Sequence, residues 1–424
     1  MALNIPESPF ERIVIVGAGF AGYTLAKKLA GKKFQIVLLD RNNYHQFQPL
    51  FYQVGMAGLE PSSICFPLRK SFQSDTNFFV RVAEVLEVNS KDKKIITSAG
   101  IMRYDKLVLA MGAKTNYYGN AEFESNSIPL KSVSEALYLR NRILGDLEKA
   151  LMTNVGTDVP GLLDIVIVGG GPTGVEIAGA LAELKNNILP RDYPDLDSSK
   201  MHIHLIQSAE KLLPSMSLKS SLRAEKDLKQ LGVQIHLNQI VDSIKDHRVH
   251  LKSGNILETN KVIWAAGVSP AVIPGIPSES LNEYKRYLVD ENFQIKGLEE
   301  VYAIGDIACY TTEKYQKGHP QVAAVALQQA DWLANFFKEN KQKDFEYFDK
   351  GQLATIGRNK AVVDIGKFHF EGFFAWITWL FVHIYFLIGV RNKIIVLLNW
   401  LWAYIFYDQA LRLIIKPYQP FNEK

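Results

Sequence analysis

The chain has 424 residues, which is long enough for two or three domains with a substantial core. Its 48 basic and 44 acidic side chains give a net charge of +4, too small to indicate nucleic-acid binding. The two cysteines, Cys65 and Cys309, form no C-x-x-C pair, which argues against a disulfide scaffold and a dithiol flavoprotein and fits a reducing compartment. The nine histidines show no metal-ligand spacing, so no metal site is predicted.

A glycine fingerprint that follows a short apolar run occurs twice. The first is Gly17-Ala18-Gly19-Phe20-Ala21-Gly22, and the second is Gly169-Gly170-Gly171-Pro172-Thr173-Gly174. In a strand-turn-helix unit, the first glycine makes the turn, the second admits a pyrophosphate, and the third lets the helix approach the strand. Two fingerprints indicate two bound dinucleotides, an arrangement suited to passing a pair of electrons between them. The alternative is a pair of glycine-rich turns in an unrelated α/β sheet.

The first predicted unit covers residues 10–120. An apolar strand over residues 34–39 ends in Asp40, which is suited to binding a ribose. The aromatic segment 43–54 contains Pro49 and is predicted to be irregular. Residues 78–82 and 94–97 are predicted to be strands of a small meander. The strand over residues 104–113 ends in small residues, which let the backbone approach a nucleotide.

The second predicted unit covers residues 121–270. It opens with a helix over residues 132–152 and closes with a strand that ends at Gly267. A further strand over residues 301–306 and a helix over residues 323–338 then return to the first unit, which resumes over residues 271–340. The second unit is therefore predicted to be inserted in the first.

The remaining residues, 341–424, change in character. Residues 372–390 carry no formal charge, and a second apolar, aromatic stretch covers residues 394–407. By length the first stretch could span a bilayer of about 30 Å. It could also be a buried core helix, or both stretches could lie in the membrane interface, which Trp and Tyr favour. Surface attachment is the favoured interpretation, with His383 packed or interfacial rather than part of a proton relay.

Six motifs together resemble the type II NADH:quinone oxidoreductases, the single-subunit, non-proton-pumping flavoenzymes of respiratory chains. They are the two fingerprints, the second extended to Glu176, and residues 44–50, 264–267, 302–306 and 353–357. The resemblance covers essentially the whole chain. It implies an α/β fold with two Rossmann-like dinucleotide-binding domains of the glutathione-reductase type and a C-terminal membrane-associated helical region.

The resemblance also assigns cofactor-binding residues. Those for FAD are Gly17, Ala18, Gly19, Phe20, Ala21, Gly22, Asp40, Arg41, Val85, Ala110, Gly112 and Asp306, and those for the nicotinamide nucleotide are Gly169, Gly171, Gly174, Glu176, Gln207 and Gly267. An alternative role for Asp306 is that of a helix N-cap.

The resemblance also implies that three residues act in catalysis: Glu176, Gln328 and Gln329. Glu176 would lie close to the nicotinamide, although a carboxylate in the first turns of a helix is also stabilised by the helix dipole, by about 0.3–1 kcal/mol. Gln328 and Gln329 belong to a helix that is expected to border the quinone, and the carbonyl oxygens of a quinone accept hydrogen bonds from amide groups. The family usually has another glutamine at the position of Ala324. The alternative for both glutamines is solvent exposure.

Further expectations concern substrates and partners. Gln48 and Lys350 are candidates for the quinone region. Gln207 stands where a carboxylate would repel a 2′-phosphate, so NADH is expected as the donor with NADPH as an alternative.

The expected partners are a membrane quinone (menaquinone or ubiquinone), a lipid bilayer surface and a second copy of the chain. Residues 1–9 contain no recognisable secretory signal, so the catalytic body is expected on the cytoplasmic face of the inner (cell) membrane. The alternative functions are a sulfide:quinone oxidoreductase, which would need redox cysteines near the flavin, and a non-catalytic nucleotide-binding redox sensor.

Overall fold

The computed structural model describes residues 2–152, 161–339, 344–406 and 411–415. The chain divides into two compact units, each assembled from separated segments. Unit 1 comprises Met1–Gln46, Cys65–Lys114 and Val268–Asp349, and unit 2 comprises Phe47–Ile64, Thr115–Gly267 and Lys350–Lys424. The predicted end of the second aromatic stretch, residue 407, lies outside the described residues.

The strands follow in chain order. They are β1 Glu11–Val16, β2 Phe34–Asp40, β3 Tyr44–Gln46, β4 Cys65–Pro67, β5 Phe78–Val82, β6 Val85–Asn89, β7 Lys94–Thr97, β8 Gly100–Arg103, β9 Lys106–Leu109, β10 Ala113–Thr115, β11 Ile128–Pro129, β12 Ile165–Val168, β13 Ile203–Ile206, β14 Gln234–His236, β15 Val241–Lys245, β16 Arg248–Leu251, β17 Ile256–Glu258, β18 Lys261–Trp264, β19 Val268–Pro270, β20 Tyr287–Leu288, β21 Val301–Ala303, β22 Ala308–Cys309, β23 Gln352–Gly357, β24 Lys360–Ile365 and β25 Phe368–Glu371.

The helices follow in the same way. They are α1 Phe20–Leu29, α2 Phe51–Gly55, α3 Pro61–Ile64, α4 Leu68–Ser71, α5 Ala121–Asn126, α6 Val133–Met152, α7 Pro172–Glu183, α8 Leu189–Asp192, α9 Leu218–Gln230, α10 Ala323–Glu339, α11 Phe373–Phe386 and α12 Val390–Phe406. Short 3-10 turns occur at Gln48–Leu50, Ser198–Lys200, Ser278–Ser280 and Gly305–Ile307, and a π-helical turn at Leu184–Ile188.

Unit 1 is organised around a five-stranded parallel sheet in the order β21-β9-β1-β2-β5. Its central strand β1 carries the apolar run 13–16, whose side chains are all buried. A run that is apolar on both faces suits a parallel strand covered on both sides. Because the chain moves outward from β1 to one side and then to the other, the first glycine turn lies at the switch point, where sheets of this type bind nucleotides.

Unit 2 repeats this plan with a second parallel sheet in the order β11-β18-β12-β13-β14. Its central strand β12 precedes the second glycine turn. A buried ion pair ties α6 to β18, with Lys261 Nζ 2.9 Å from Asp146 Oδ2 and both side chains 2% exposed. The two-Rossmann-domain α/β fold that the sequence predicts is confirmed.

Two local predictions are wrong. Phe78–Val82 is not a meander strand but the edge strand of the parallel sheet in unit 1, paired with β2. Lys94–Thr97 does lie in a three-stranded antiparallel sheet, together with β6 and β8.

The aromatic segment predicted to be irregular forms β3, a 3-10 turn and α2. Pro49 is accommodated because it stands in the first turn, where no backbone N–H is needed.

The division into units also differs from the predicted boundaries. Residues 47–64 were assigned to the first dinucleotide unit, but they group with unit 2 because α2 packs against α6 and α7. Residues 341–424 were expected as a separate domain, but residues 350–424 also group with unit 2, because β23 packs closely along α7.

The apolar stretch 372–390 is divided by a break after Phe386, so it forms α11 and only the first residue of α12. Among the residues that the structure describes, no helix is both long enough and apolar enough to cross a membrane.

Candidate functional site

The first glycine fingerprint forms an open cradle in unit 1. A Cβ on Gly17 would lie 2.5 Å from the Ala110 carbonyl oxygen, and one on Gly22 would lie 1.9 Å from the Gly17 carbonyl oxygen. A Cβ on Gly19, in contrast, would have no described atom within 4 Å. Gly19 is also the N-cap of α1 and supplies no side-chain acceptor, so the cradle faces open amides. This arrangement fits a pyrophosphate.

Both backbone groups of Ala18 are held in place by side chains. Its N–H donates to Asp40 Oδ2 at 2.7 Å, and its carbonyl oxygen lies 2.8 Å from His45 Nδ1. Burial lowers the pKa of His45 to about 4, so the ring is neutral and Nδ1–H is the donor. The remaining nitrogen, Nε2, is buried without a partner among the described residues. The orientation of the peptide beside the cradle is therefore fixed in advance.

The second fingerprint repeats this construction in unit 2. A Cβ on Gly169 would lie 2.5 Å from the Ala265 carbonyl oxygen, and one on Gly174 would lie 1.8 Å from the Gly169 carbonyl oxygen. A Cβ on Gly171, the N-cap of α7, would again meet no described atom within 4 Å. The second cradle therefore has the same tight first and third glycines and the same open second glycine.

Gln207 directly follows β13, whereas Asp40 is the last residue of β2. Its Oε1 accepts the N–H of Gly170 at 3.0 Å, and its Nε2 donates to the Lys211 carbonyl oxygen at 3.4 Å. The carbonyl oxygen of Gly170 accepts from the N–H of Leu213 at 2.8 Å. The glutamine is thus a structural part of the loop, and its predicted contact with the nucleotide ribose stays a prediction.

The other residues assigned to FAD lie at several places in unit 1. Ala110 is buried at the end of β9, and Gly112 follows in open space with φ of 69°. Val85 begins β6, and the exposed Arg41 pairs with Glu84. The positions of these residues do not test their predicted contacts with FAD, which stay predictions.

Asp306 and Gly267 lie close to the ends of parallel strands. Asp306 lies in the 3-10 turn after β21, whose cap position is Ile304, so Asp306 is not its N-cap. In unit 2, Gly267 has φ of 106°, and a Cβ there would lie 3.1 Å from Tyr118 Oη.

The two glutamines of α10 have different surroundings. Gln328 is engaged with the backbone of Phe348, from which Oε1 accepts and to which Nε2 donates, both at 2.9 Å. Gln329 is fully buried, and its Oε1 accepts the N–H of Gly305 at 2.7 Å. The Nε2 of Gln329 has no partner among the described residues. Gln329 therefore retains a free donor, whereas Gln328 already uses both ends of its amide. Neither glutamine is simply solvated, which was the alternative.

Glu176 lines a cavity in unit 2 that is open to solvent on one side. The cavity lies beside the close contact of β23 with α7. At this contact a Cβ on Gly179 would lie only 1.9 Å from the Ile356 carbonyl oxygen, so only glycine fits. Two carboxyl groups on α7, those of Glu176 and Glu183, contribute to the lining. The aromatic lining residues are Tyr52, Trp376, Trp379, Trp400 and Tyr404.

The cavity is apolar, and this shifts the pKa of its acidic groups. Burial raises the pKa of Glu176 to about 8, against the opposing effects of a bond from Trp379 and a backbone bond from Thr355. Burial likewise raises the pKa of Glu183 and of Tyr52. A carboxyl group that titrates near neutral pH is able to hold or release a proton under working conditions.

Gln48 and Lys350, the two softer candidates for the quinone region, are both exposed in unit 2. Lys350 Nζ lies 5.7 Å from the ring centroid of Phe386 on the next helix.

Sequence reasoning missed His45, Tyr52, Glu183 and Trp379 as site residues. His45 and Tyr52 belong to the aromatic segment, and Trp379 to an apolar stretch that indicated only membrane attachment. Glu183 lies seven residues after Glu176 on a helix, which puts both on one face, and this spacing was the available signal.

Comparison with known proteins agrees with this geometry. Residues 11–330 match the pyridine nucleotide-disulphide oxidoreductase family, and residues 350–407 match the NDH2 C-terminal domain. Two Mycobacterium tuberculosis proteins are similar along most of their length, both named type II NADH:quinone oxidoreductases. Ndh is 34% identical, with 92% of this chain and 87% of Ndh covered, and NdhA is 32% identical, with 92% and 86% covered.

The solved structure of NDH2 from Plasmodium falciparum in complex with NADH has the same fold. Its TM-score is 0.87 at 21% identity, and the match covers 96% of this chain and 100% of that one. With the family match, the close relatives and the shared fold all in agreement, the chain belongs to the type II NADH:quinone oxidoreductases.

Proposed function

We propose that this protein oxidises NADH through a bound FAD and passes two electrons to a membrane quinone without pumping protons. The observation that carries the proposal is the pair of glycine cradles, one in each unit, with Gly19 and Gly171 open where a pyrophosphate would lie. One cradle suits the resident flavin nucleotide and the other the nicotinamide nucleotide. The relatives named above carry out NADH:quinone oxidoreduction according to their names.

FAD is the flavin that fits unit 1. The cradle of the first fingerprint would hold a pyrophosphate, and Asp40 at the end of β2 would reach an adenosine ribose. When bound, FAD supplies the two-electron acceptor for a hydride and the donor to a quinone. The protein residues bind and orient it, and the clamp on Ala18 sets the direction of the amides beside it.

The nicotinamide nucleotide would bind unit 2 at the second cradle. The matched Plasmodium structure is a complex with NADH, and we propose NADH as the donor here, with NADPH as an alternative. Glu176 would lie beside the nicotinamide, where its carboxyl group can hold a proton at neutral pH.

The quinone site would include Gln329. Its unpaired Nε2 is a donor suited to a quinone carbonyl oxygen, and its Oε1 remains bound to the Gly305 N–H. Gln328 would contribute by holding the backbone of Phe348 rather than by contacting the quinone. Gln48 and Lys350 remain further candidates for this region.

The C-terminal helices would attach the protein to a bilayer surface. α11 and α12 expose many apolar and aromatic side chains, among them Phe373, Phe374, Ile377, Phe381, Tyr385, Ile394, Leu397, Leu398, Leu401, Trp402, Ile405 and Phe406. Exposed apolar surface of this extent marks an interaction site, and its Trp and Tyr content favours the lipid interface. We place the protein on the cytoplasmic face of the inner membrane, and the resemblance further suggests a homodimer.

The sulfide:quinone alternative has less support than NADH oxidation. Its chemistry needs redox cysteines, whereas Cys65 and Cys309 are both free thiols and burial raises the pKa of Cys65 to about 12. A thiol with such a pKa supplies little thiolate at neutral pH.

Steady-state oxidation of NADH and NADPH by the detergent-purified, FAD-loaded protein tests the proposal, with and without a short-chain menaquinone or ubiquinone. We expect rapid oxidation of NADH that depends on the quinone. Flavin reduction by NADH without acceleration by either quinone would contradict the proposed function and favour a redox sensor.

A further inference from the structure

The indole of Trp379 joins the C-terminal helix α11 to the carboxyl group of Glu176. Its Nε1–H donates to Glu176 Oε1 at 3.2 Å. The Trp379 side chain is 1% exposed, and its ring stacks on His383 with a centroid distance of 3.8 Å. Tyr52 meets the same ring edge-on at 6.3 Å. Because neighbouring rings hold the indole, packing determines the direction of its N–H group.

His383 keeps this indole in place from the next turn of the helix. Its Nδ1 lies 2.7 Å from the Trp379 carbonyl oxygen, and burial lowers its pKa to about 4. The imidazole is therefore neutral at working pH and donates through Nδ1–H. Its role at this place is packing, as the sequence predicted, because a neutral ring that is bound to its own helix adds no charge to the cavity.

The helix that carries Trp379 has two distinct faces. Phe374, Phe381 and Tyr385 are 64–76% exposed, whereas Trp379 and His383 on the opposite face are buried. Because a packed helix moves as a rigid body, a shift of its exposed face also moves the residues on its buried face. A displacement of α11 would therefore also move the indole N–H of Trp379.

We propose that Trp379 is a positioning residue for Glu176, through which the seating of α11 on a membrane sets the orientation and the charge state of that carboxyl group. The functional consequence rests on the proposed function, in which Glu176 lies beside the nicotinamide. The bond between Trp379 and Glu176 lies within unit 2, and the attachment of α11 to a membrane is the one proposed above.

The electrostatic surroundings of Glu176 make this donor important. Burial favours the neutral carboxyl group, and the indole N–H favours the ionised one, so the two effects oppose each other. The other titratable groups around the cavity are Tyr52 on α2, Glu183 on α7, Arg358 in the turn between β23 and β24, Tyr404 on α12 and His383 on α11. Among the described residues that line the cavity, Glu183 is the one other carboxyl group, so the titration must be assigned by substitution of Glu176.

Trp379→Phe tests the proposal, because it keeps an aromatic ring against His383 and removes the N–H donor. Trp400→Phe is a matched control, since Trp400 lines the same cavity but donates its Nε1–H to Gln53 Oε1 at 2.7 Å. The measurement is the pH titration of the protonated carboxyl C=O infrared band in the full-length, FAD-loaded protein. The band of Glu176 is the one that disappears in Glu176→Gln.

We expect the midpoint of the Glu176 band to rise by about one pH unit in Trp379→Phe, because a hydrogen bond to the charged form is lost. It should stay in place in Trp400→Phe. An unchanged midpoint in Trp379→Phe, or an equal shift in both variants, would overturn the proposal. This readout does not use turnover, so a protein that fails to reduce quinones but shows the expected shift would contradict only the proposed function.

A second measurement avoids any substitution of Trp379 in case that variant does not fold. In protein labelled with ¹⁵N-tryptophan, one indole N–H resonance should follow the titration of Glu176 and become independent of pH in Glu176→Gln. Vesicles of phosphatidylcholine and phosphatidylglycerol should shift the midpoint of that resonance relative to detergent. The absence of an indole resonance that follows Glu176, or a midpoint that vesicles leave unchanged, would overturn the coupling.

Discussion

The side-chain oxygen of Gln207 accepts the N–H of Gly170 at 3.0 Å, and this bond repeats in unit 2 the 2.7 Å bond of Asp40 to Ala18 in unit 1. In both units, the last residue of the second strand or the residue just after it holds the second residue of the glycine loop. A neutral amide is therefore sufficient to shape the loop. The carboxylate adds charge, which we expect to act on a bound nucleotide rather than on the fold.

Gln207→Glu separates these two roles. The new carboxylate keeps an acceptor for Gly170 and adds a charge that repels a 2′-phosphate by up to about 4 kcal/mol at contact near a protein surface. We expect kcat/KM for NADPH to fall at least about tenfold relative to that for NADH. Gln207→Leu is the control, because it removes the acceptor and should weaken both nucleotides together. An unchanged ratio in Gln207→Glu would show that the 2′ position lies elsewhere.

The open glycines give a second prediction. Gly19 and Gly171 have φ near −70°, which alanine adopts readily, and a Cβ on either meets no described atom. The free energy of unfolding of the Gly19→Ala apoprotein should therefore lie within about 0.5 kcal/mol of the wild-type value. The variant should nevertheless fail to retain FAD. Gly171→Ala should retain FAD and show a raised KM for NADH.

Gly22→Ala serves as the contrast, because its Cβ would lie 1.9 Å from the Gly17 carbonyl oxygen. It should lower the melting temperature of the apoprotein itself. Normal flavin binding by Gly19→Ala would show that the pyrophosphate does not approach this residue.

The two nucleotide units could be predicted from the sequence because their signals are local. Each fingerprint follows a buried run of branched apolar residues, and the spacing from the first fingerprint to Asp40 reflects one strand-helix-strand unit. The helices α6 and α10 were predicted to within one residue at each end, since their apolar residues recur at helical spacing over long segments.

The features that could not be predicted from the sequence depend on contacts between residues far apart in the chain. Phe78–Val82 resembles any short apolar strand, and only its pairing with β2 makes it part of the parallel sheet. The bond between Trp379 and Glu176 joins residues 203 positions apart. No local pattern distinguishes that tryptophan from Phe374 and Phe381, which are exposed on the same helix.

The clamp on Ala18 gives a third prediction. His45→Ala removes the donor to the Ala18 carbonyl oxygen, which frees the peptide beside the cradle. A lost hydrogen bond of about 1 kcal/mol should weaken FAD binding to the apoprotein about fivefold. His45→Asn retains a donor and should recover part of this loss. Equal affinities in wild type and His45→Ala, measured by flavin fluorescence quenching, would exclude a role for the clamp.

The buried carboxyl group of Glu176 makes stability depend on pH. Its pKa is raised to about 8 in the folded protein, so between the ordinary value of 4.5 and about 8 the unfolded chain is ionised while the folded protein keeps the proton. Its contribution to stability therefore falls as pH rises through this window. Glu176→Gln lacks this term, so its melting temperature relative to the wild type should increase from pH 5 to pH 8. A constant difference across that range would mean that Glu176 is ionised at neutral pH in the folded protein.

The exposed face of α11 gives the last prediction. Phe374 and Phe381 are 76% and 69% exposed, so replacing both with glutamate should change the melting temperature little. Burial of a phenylalanine in lipid contributes roughly 1.5–3 kcal/mol, so the double variant should bind vesicles at least about a hundredfold more weakly. Ile256→Glu is the control, because Ile256 is equally an exposed apolar residue but lies on β17, in the antiparallel sheet of β15 to β17. Cosedimentation with vesicles measures the binding. Equal loss in the control would attribute the effect to added negative charge, whereas selective loss in the α11 variant would identify this face as the one that enters the lipid.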